Sequence, residues 1–238
     1  MITGASRGIG KATALEFGKS GNNNFYLCCK SDVADMFDTK DKLLLLNNDV
    51  IIRKLDVTDR PNIRREFAML GIIHPEFKVD VLINNAGILR DRTLKNMTDE
   101  EWDEVIAVNL TGVYNITKAV LPFMNKGGCI VNITSMSGLT GNFGQCNYAS
   151  AKAGVIGFTK SLAKELGRDK IRVNVVVVGL CDTDMSRSIP KIAVDSFVER
   201  MPLKRMSTSE EVAKIVKFIC DGDSYCTGSV FDVSGGLI

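Results

Sequence analysis

Histidine is nearly absent from these 238 residues; His74 is the one example. One histidine cannot supply a histidine-based metal cluster, so no metal site is expected, and its distance in sequence from Ser135 disfavours a Ser-His-Asp triad. His74-Pro75 reads as a loop before a strand. Seven cysteines are present, but no Cys-x-x-Cys pair. Cys28 and Cys29 are adjacent in an expected strand, so their side chains point to opposite faces and read as small buried residues of a reducing compartment. Runs of basic residues are missing too: 30 Lys+Arg stand against 28 Asp+Glu, a net charge of +2. Nucleic acid and an anionic membrane surface are thus not expected partners. No apolar stretch approaches the roughly 18 residues that would span a bilayer, and a cytoplasmic location is expected.

What is present is a 45% apolar chain of a length that suits one α/β domain over 1–238. Strand signals alternate with helical ones. Phe25–Cys29, Val50–Leu55, Val79–Ile83, Cys129–Ile133, Ile171–Val178 and Thr227–Val233 read as strands, several of them apolar throughout, as in a sheet buried on both faces. Helices are expected over Asp35–Asn48 and Asn62–Leu70, from Thr98 through Asn109 to about Met124, over Ala153–Leu166, and from Ser209 to Cys220. Leu43–Leu46 is ambiguous between helix end and strand. Thr98 and Glu101 have the spacing of a capping box. The alternation predicts a Rossmann-type, doubly wound parallel sheet.

Two local patterns carry chemistry. Gly4, Gly8 and Gly10 form a turn into a helix, where the backbone can approach a phosphate and free N–H groups face an anion. Tyr148 and Lys152 are four apart on an expected helix and so share a face. A lysine beside a tyrosine favours the phenolate and is expected to lower the phenol pKa from about 10. Ser135, thirteen residues earlier at a strand's carboxyl end, could hold a carbonyl or alcohol oxygen beside it.

Thr3–Gly10, Asp56-Val57, Asn84-Asn-Ala-Gly87, Asn109, Ser135 and Tyr148-x-x-x-Lys152 occur in one order along nearly the whole chain. The set resembles the short-chain dehydrogenases/reductases. Gly141–Tyr148 and Ile88–Asp91 are most similar to the 3-oxoacyl-[acyl-carrier-protein] reductases within them. The resemblance implies hydride transfer between a nicotinamide dinucleotide and a carbonyl carbon. Tyr148 would be the proton donor, with Lys152 holding the nicotinamide ribose, Ser135 the substrate oxygen, and Asn109 kinking its helix and supporting a water. The cofactor set it implies is Gly4, Ser6, Arg7, Gly8, Ile9, Gly10, Lys30, Asp56, Val57, Asn85, Ala86, Gly87, Tyr148, Lys152, Cys181 and Thr183.

NAD-preferring relatives carry an acid at the end of the second strand. Here Cys29-Lys30 stands there with Arg7 nearby, which favours the 2′-phosphate of NADPH, although Asp32 is close. The resemblance further implies a substrate lid over about 185–205, an acyl-carrier-protein thioester as substrate, fatty acid synthesis as the setting, and a homotetramer. Small residues such as Ala153, Gly154 and Gly157, with Leu162, would lie on the dimer-forming helices. Arg90, Arg92, Lys126, Arg168 and Lys170 are candidate cations for an acidic carrier. A 3-hydroxyacyl-CoA or other alcohol dehydrogenase, or a cofactor-binding subunit without activity, are the alternatives.

Three departures are visible. Val178-Gly179 replaces the family's Pro-Gly, and Ser234-Gly-Gly236 its acidic turn. Only Met1-Ile2 precedes Thr3 where a strand is usual. The first strand is expected to be truncated or the chain to begin upstream, which leaves an organelle-targeting segment open.

Overall fold

The computed structural model describes residues 1–30, 33–187, 189–221 and 224–237. Asp32, weighed above against Lys30, and Ser188 of the expected lid lie outside them. Among the described residues, seven strands form one parallel sheet: β1 (Ile2–Thr3), β2 (Asn24–Cys29), β3 (Asp49–Lys54), β4 (Val79–Asn84), β5 (Met124–Ser135), β6 (Arg172–Val178) and β7 (Val230–Val233). Their order across the sheet is β3-β2-β1-β4-β5-β6-β7. The order reverses at β1, so the connections to either side of it leave a crevice beyond the carboxyl ends of β1 and β4.

Among the described residues, ten α-helices fill the connections: α1 (Gly8–Gly18), α2 (Phe37–Leu45), α3 (Arg60–Ile73), α4 (Asp99–Ile106), α5 (Gly112–Val120), α6 (Ser137–Thr140), α7 (Cys146–Leu166), α8 (Asp184–Arg187), α9 (Lys191–Arg200) and α10 (Ser209–Cys220). Ile63, Phe67, Ile116, Val120 and Leu162 of α3, α5 and α7 cover one face of the sheet. Ala14, Leu43, Val212, Val216 and Ile219 of α1, α2 and α10 cover the other. β6 shows why the strands are so apolar: Val173 and Val175 to Val178 are all buried between the layers. Each such side chain contributes about 1.5–3 kcal/mol relative to exposure. Cys28 and Cys29 enter opposite clusters, as alternation along a strand requires.

Two expectations need correction. The helix from Thr98 does not run unbroken to Met124. The capping box of Thr98 and Glu101 starts it, but a π-helical turn over Ala107–Thr111 interrupts it, and β5 begins at Met124. Asn109 sits in that turn. Leu162 is not a surface residue of α7; it is buried in the chain's own core. The last long helix carries a second capping box, Thr208 with Glu211. β1 has two residues, and the Met1 carbonyl extends its ladder by accepting from Ile83 N–H at 2.9 Å.

Candidate active site

The carboxyl ends of the strands open into a cleft of about 790 Å³. Its floor is the glycine turn. Gly4 has φ +62° and Gly8 φ +53°, a region that side chains resist. A Cβ on Gly10 would stand 2.3 Å from the Gly4 carbonyl oxygen. The turn delivers the N-terminus of α1 into the cleft, and among the described residues no side chain caps it. Its leading N–H groups are left for an anion.

A clamp holds this turn to the loop after β4. The Thr3 hydroxyl oxygen accepts from Asn85 N–H at 3.0 Å and Ala86 N–H at 3.1 Å. The Asn85 side-chain amide donates to the Thr3 and Gly4 carbonyls. Asn85 therefore lines the cleft, but its amide serves the scaffold. Gly87 follows. A Cβ there would come within 2.7 Å of Asn109 Oδ1, so this backbone lies against the π-turn.

Lys30 and Arg7 both line the cleft and both face carboxylates. Lys30 Nζ is 2.9 Å from Asp56 Oδ2, and Arg7 Nε is 3.7 Å from Asp184 Oδ2. Burial pushes the Asp56 carboxyl up, but hydrogen bonds from Thr58 and Lys30 outweigh it and hold it below the usual range. Ser6, Ile9, Val57, Cys181 and Thr183 also line the cleft. The glycine cradle, the uncapped helix end and two cations at one rim fit a phosphorylated dinucleotide.

At the other wall, α7 brings Tyr148 and Lys152 beside Ser135, which ends β5. All three line the cleft. Tyr148 packs against Val105 and Ala151, with Leu89 alongside. Lys152 is buried, and its ammonium donates to the Ile133 carbonyl at 3.0 Å. The Thr134 hydroxyl donates to the Lys152 carbonyl at 2.8 Å, tying the helix to β5. The expected net lowering of the Tyr148 pKa is not met. Burial pushes the phenol up to about 12, the Ser135 hydroxyl pulls it partly back, and the Asp91 charge adds to the rise. Burial likewise lowers Lys152 to about 8. Desolvation favours the neutral form of both groups and is the largest cause of each shift.

Asn109, also fully buried, hydrogen-bonds to protein rather than presenting its amide directly to a water. Its Nδ2 donates to the Ile88 and Val105 carbonyls at 3.0 Å, and its Oδ1 accepts from Ile88 N–H at 3.2 Å. The π-turn is what turns it toward this loop.

Several lining residues had no assigned role in the sequence. Met136, Gln145, Ile189 and Phe197 are among them. The last two lie within 185–205, the one signal available for them. Val178, in place of proline, stays in register between Ser135 and Val233, so the sheet edge keeps its form. Of the five candidate cations, Arg90 and Arg92 stand near the cleft, paired with Glu104 and Glu101. Lys126, Arg168 and Lys170 do not. They precede the buried parts of β5 and β6 and so lie at the amino edge of the sheet, where α7 ends.

A parallel sheet with a reversing strand order, a glycine-turn helix and a Ser135–Tyr148–Lys152 wall defines a Rossmann-type protein with a reactive cleft. Residues 1–193 match the family model described as short chain dehydrogenase, and the chain belongs to that family. Among its relatives is a 3-oxoacyl-[acyl-carrier-protein] reductase of Thermotoga maritima, 43% identical over all of this chain and 96% of the relative. The reductase of the same name from Pseudomonas aeruginosa is 40% identical with the same coverage. A short chain dehydrogenase of Burkholderia cenocepacia, solved in complex with NADP, superposes with a TM-score of 0.91 at 28% identity, covering 99% of this chain and 96% of that one.

Proposed function

We propose that this chain reduces a 3-oxoacyl thioester, carried on an acyl-carrier protein, to the 3-hydroxyacyl thioester with NADPH, as a step of fatty acid synthesis. The observation that carries this reading is the Ser135–Tyr148–Lys152 wall facing the glycine turn across one cleft. The relatives named for that reaction support the substrate, and the NADP-bound structure supports the cofactor.

Bound NADPH would supply the hydride to the carbonyl carbon. The chain's own residues do the rest. The Ser135 hydroxyl holds the carbonyl oxygen and the Tyr148 phenol gives it a proton, leaving the alcohol. A phenol at about 12 is protonated throughout the neutral range, the form a donor needs. The Lys152 ammonium lies 5.6 Å from the centre of the Tyr148 ring and stabilises the phenolate as the proton leaves. The α1 N-terminus takes the pyrophosphate, and Arg7 and Lys30 take the 2′-phosphate. Asn109 holds the loop at Gly87 against which the nicotinamide would pack. Ile189 and Phe197 supply an apolar rim for the acyl chain, and residues 189–205 act as its lid.

Self-association into a homotetramer belongs to the same proposal. Ala153 and Gly157 are exposed on α7, and a Cβ on Gly157 would meet nothing within 4 Å. Light scattering should give a multiple of 26.0 kDa. A 26.0 kDa species alone would count against the assembly. For the activity, NADPH oxidation is followed with acetoacetyl thioesters beside unrelated ketones and sugars. If the thioesters are inert while another carbonyl turns over, the substrate assignment is wrong.

A further inference from the structure

Gln145 stands at the start of α7 with its side chain buried and every polar atom in use. Its Oε1 accepts from the Ser137 hydroxyl at 2.8 Å and from Asn142 Nδ2 at 3.1 Å. Its Nε2 donates to Asp91 Oδ2 at 2.8 Å. Ser137 in turn donates its backbone N–H to Ser135 Oγ at 3.2 Å. One continuous chain of hydrogen bonds thus runs from Asp91, in the loop after β4, through Gln145 and Ser137 to the hydroxyl beside Tyr148. Arg92 N–H donates to the Gly144 carbonyl at 2.8 Å, next to it. The other end of the same loop is held separately, by Asn109 on Ile88.

The direction of each bond matters. The Ser135 oxygen receives an N–H, so its own proton is left to point into the cleft. The Ser137 hydroxyl is anchored on Gln145, which adds a side-chain tether to the backbone bonds that hold this turn. A carboxylate has no N–H to offer Asp91, and an alanine has nothing to offer either neighbour. We propose that Gln145 and Asp91 are a positioning pair that sets the orientation of Ser135 relative to Tyr148 and locks the loop after β4 to the catalytic helix. This inference rests on the reading of the cleft as a carbonyl-reducing site. A misplaced Ser135 costs turnover, because a shift of about 1 Å at a reacting group can lower a rate about 100-fold.

The bond between the pair can be reversed without changing net charge. Gln145→Glu sets two carboxylates face to face. Adding Asp91→Asn puts an amide N–H opposite the new carboxylate, whose other oxygen still accepts from Ser137 and Asn142. Three proteins are compared: wild type, Gln145→Glu, and Asp91→Asn/Gln145→Glu. The single variant should lose about 10- to 100-fold in kcat, with the Kd for NADPH unchanged. The double variant should recover most of that loss, since the amide N–H of Asp91→Asn again meets an acceptor at position 145. Hydrogen–deuterium exchange without substrate gives a second readout. The Arg92 and Ser137 amides should exchange faster in the single variant and return in the double, while Ile88 stays protected in all three. A double variant no better than the single one, in folding, exchange or turnover, overturns the pairing. So does a single variant with unchanged kcat and exchange. If wild type reduces no carbonyl at all, the proposed function fails, and the exchange data still judge the pair.

Discussion

Lys152 and Tyr148 lie one turn apart on α7, with the ammonium 5.6 Å from the centre of the phenol ring and hydrogen-bonded to the Ile133 carbonyl instead. Burial moves the two groups in opposite directions, the lysine down to about 8 and the phenol up to about 12. Between those values the pair is neutral. A charged Lys152 is therefore the scarcer requirement, and it is lost first as pH rises.

The pH profile of kcat/KM for carbonyl reduction should accordingly fall as pH rises through about 8 in the free protein. Stability gives an independent check. The folded pKa of Lys152 is lowered from 10.5 to about 8. Between these values the unfolded chain holds a proton that the folded one does not, so unfolding becomes harder as pH rises. The cost of burying the charge is fully present below pH 8 and gone above 10.5. Relative to Lys152→Met, which has no such group, wild type should gain roughly 3 kcal/mol across that window. Denaturant titrations of both proteins at pH 7 and pH 10.5 measure it; a constant difference would show that the ammonium is not desolvated.

Tyr148→Phe removes the proposed proton donor but keeps the ring that packs against Val105 and Ala151. Turnover should drop at least about 100-fold, the usual scale for a lost general acid. NADPH affinity, measured by fluorescence titration, should hold. Near-normal turnover would transfer the donor role to another group.

Much of this arrangement was legible in the sequence because it depends on spacing. Tyr148 and Lys152 share a face by helical period, the valine run of β6 names a strand covered on both sides, and Thr98 with Glu101 marks a helix start. What was not legible depends on surroundings. The upward shift of Tyr148 comes from Val105, Leu89 and Asp91, which reach it only through the fold. The π-turn at Asn109 is a one-residue change of hydrogen bonding that no hydrophobic period reports. Arg168 and Lys170 follow the catalytic helix in sequence, yet α7 runs antiparallel to the strands and leaves them at the far edge.

Cofactor choice should follow the two rim cations. Lys30→Asp would set a second carboxylate beside Asp56, where Lys30 Nζ now stands 2.9 Å away. The kcat/KM for NADPH should fall and that for NADH hold or rise, because like charges repel the 2′-phosphate. The effect should shrink in salt, since the Debye length is about 10 Å at 0.1 M. A wild-type preference for NADH would refute the role given to Arg7 and Lys30.

Glycine replacements separate close approach from open space. In Gly87→Ala the new Cβ would stand 2.7 Å from Asn109 Oδ1, so the loop or the π-turn must shift. A loss of about 1–3 kcal/mol is expected from such overpacking, with weaker cofactor binding. Gly167→Ala is the control. That residue has φ −58°, and a Cβ there would meet nothing within 4 Å. It should gain about 0.4–1 kcal/mol through the unfolded state. Thermal melts of both variants decide the point, and a Gly87→Ala protein as stable as wild type would mean the loop is free to move.

Carrier-protein docking should depend on which edge of the sheet a cation occupies. Arg92 stands near the cleft, with its guanidinium 3.3 Å from Glu101, while Lys170 follows α7 at the opposite edge. An acidic carrier delivering its thioester to Tyr148 must approach the carboxyl edge. Arg92→Glu should therefore raise KM for a carrier-linked 3-oxoacyl thioester and leave KM for the matching small-molecule thioester unchanged. Charge at an interface rim acts mainly on the rate of encounter, so the effect should fade as salt is raised. Lys170→Glu changes the net charge equally but should alter neither KM. The pair of variants cancels the effect of net charge and leaves position as the one difference. Equal losses from both would show that the carrier responds to overall charge, and a loss from Lys170→Glu alone would place docking on the far edge, against the geometry of the cleft.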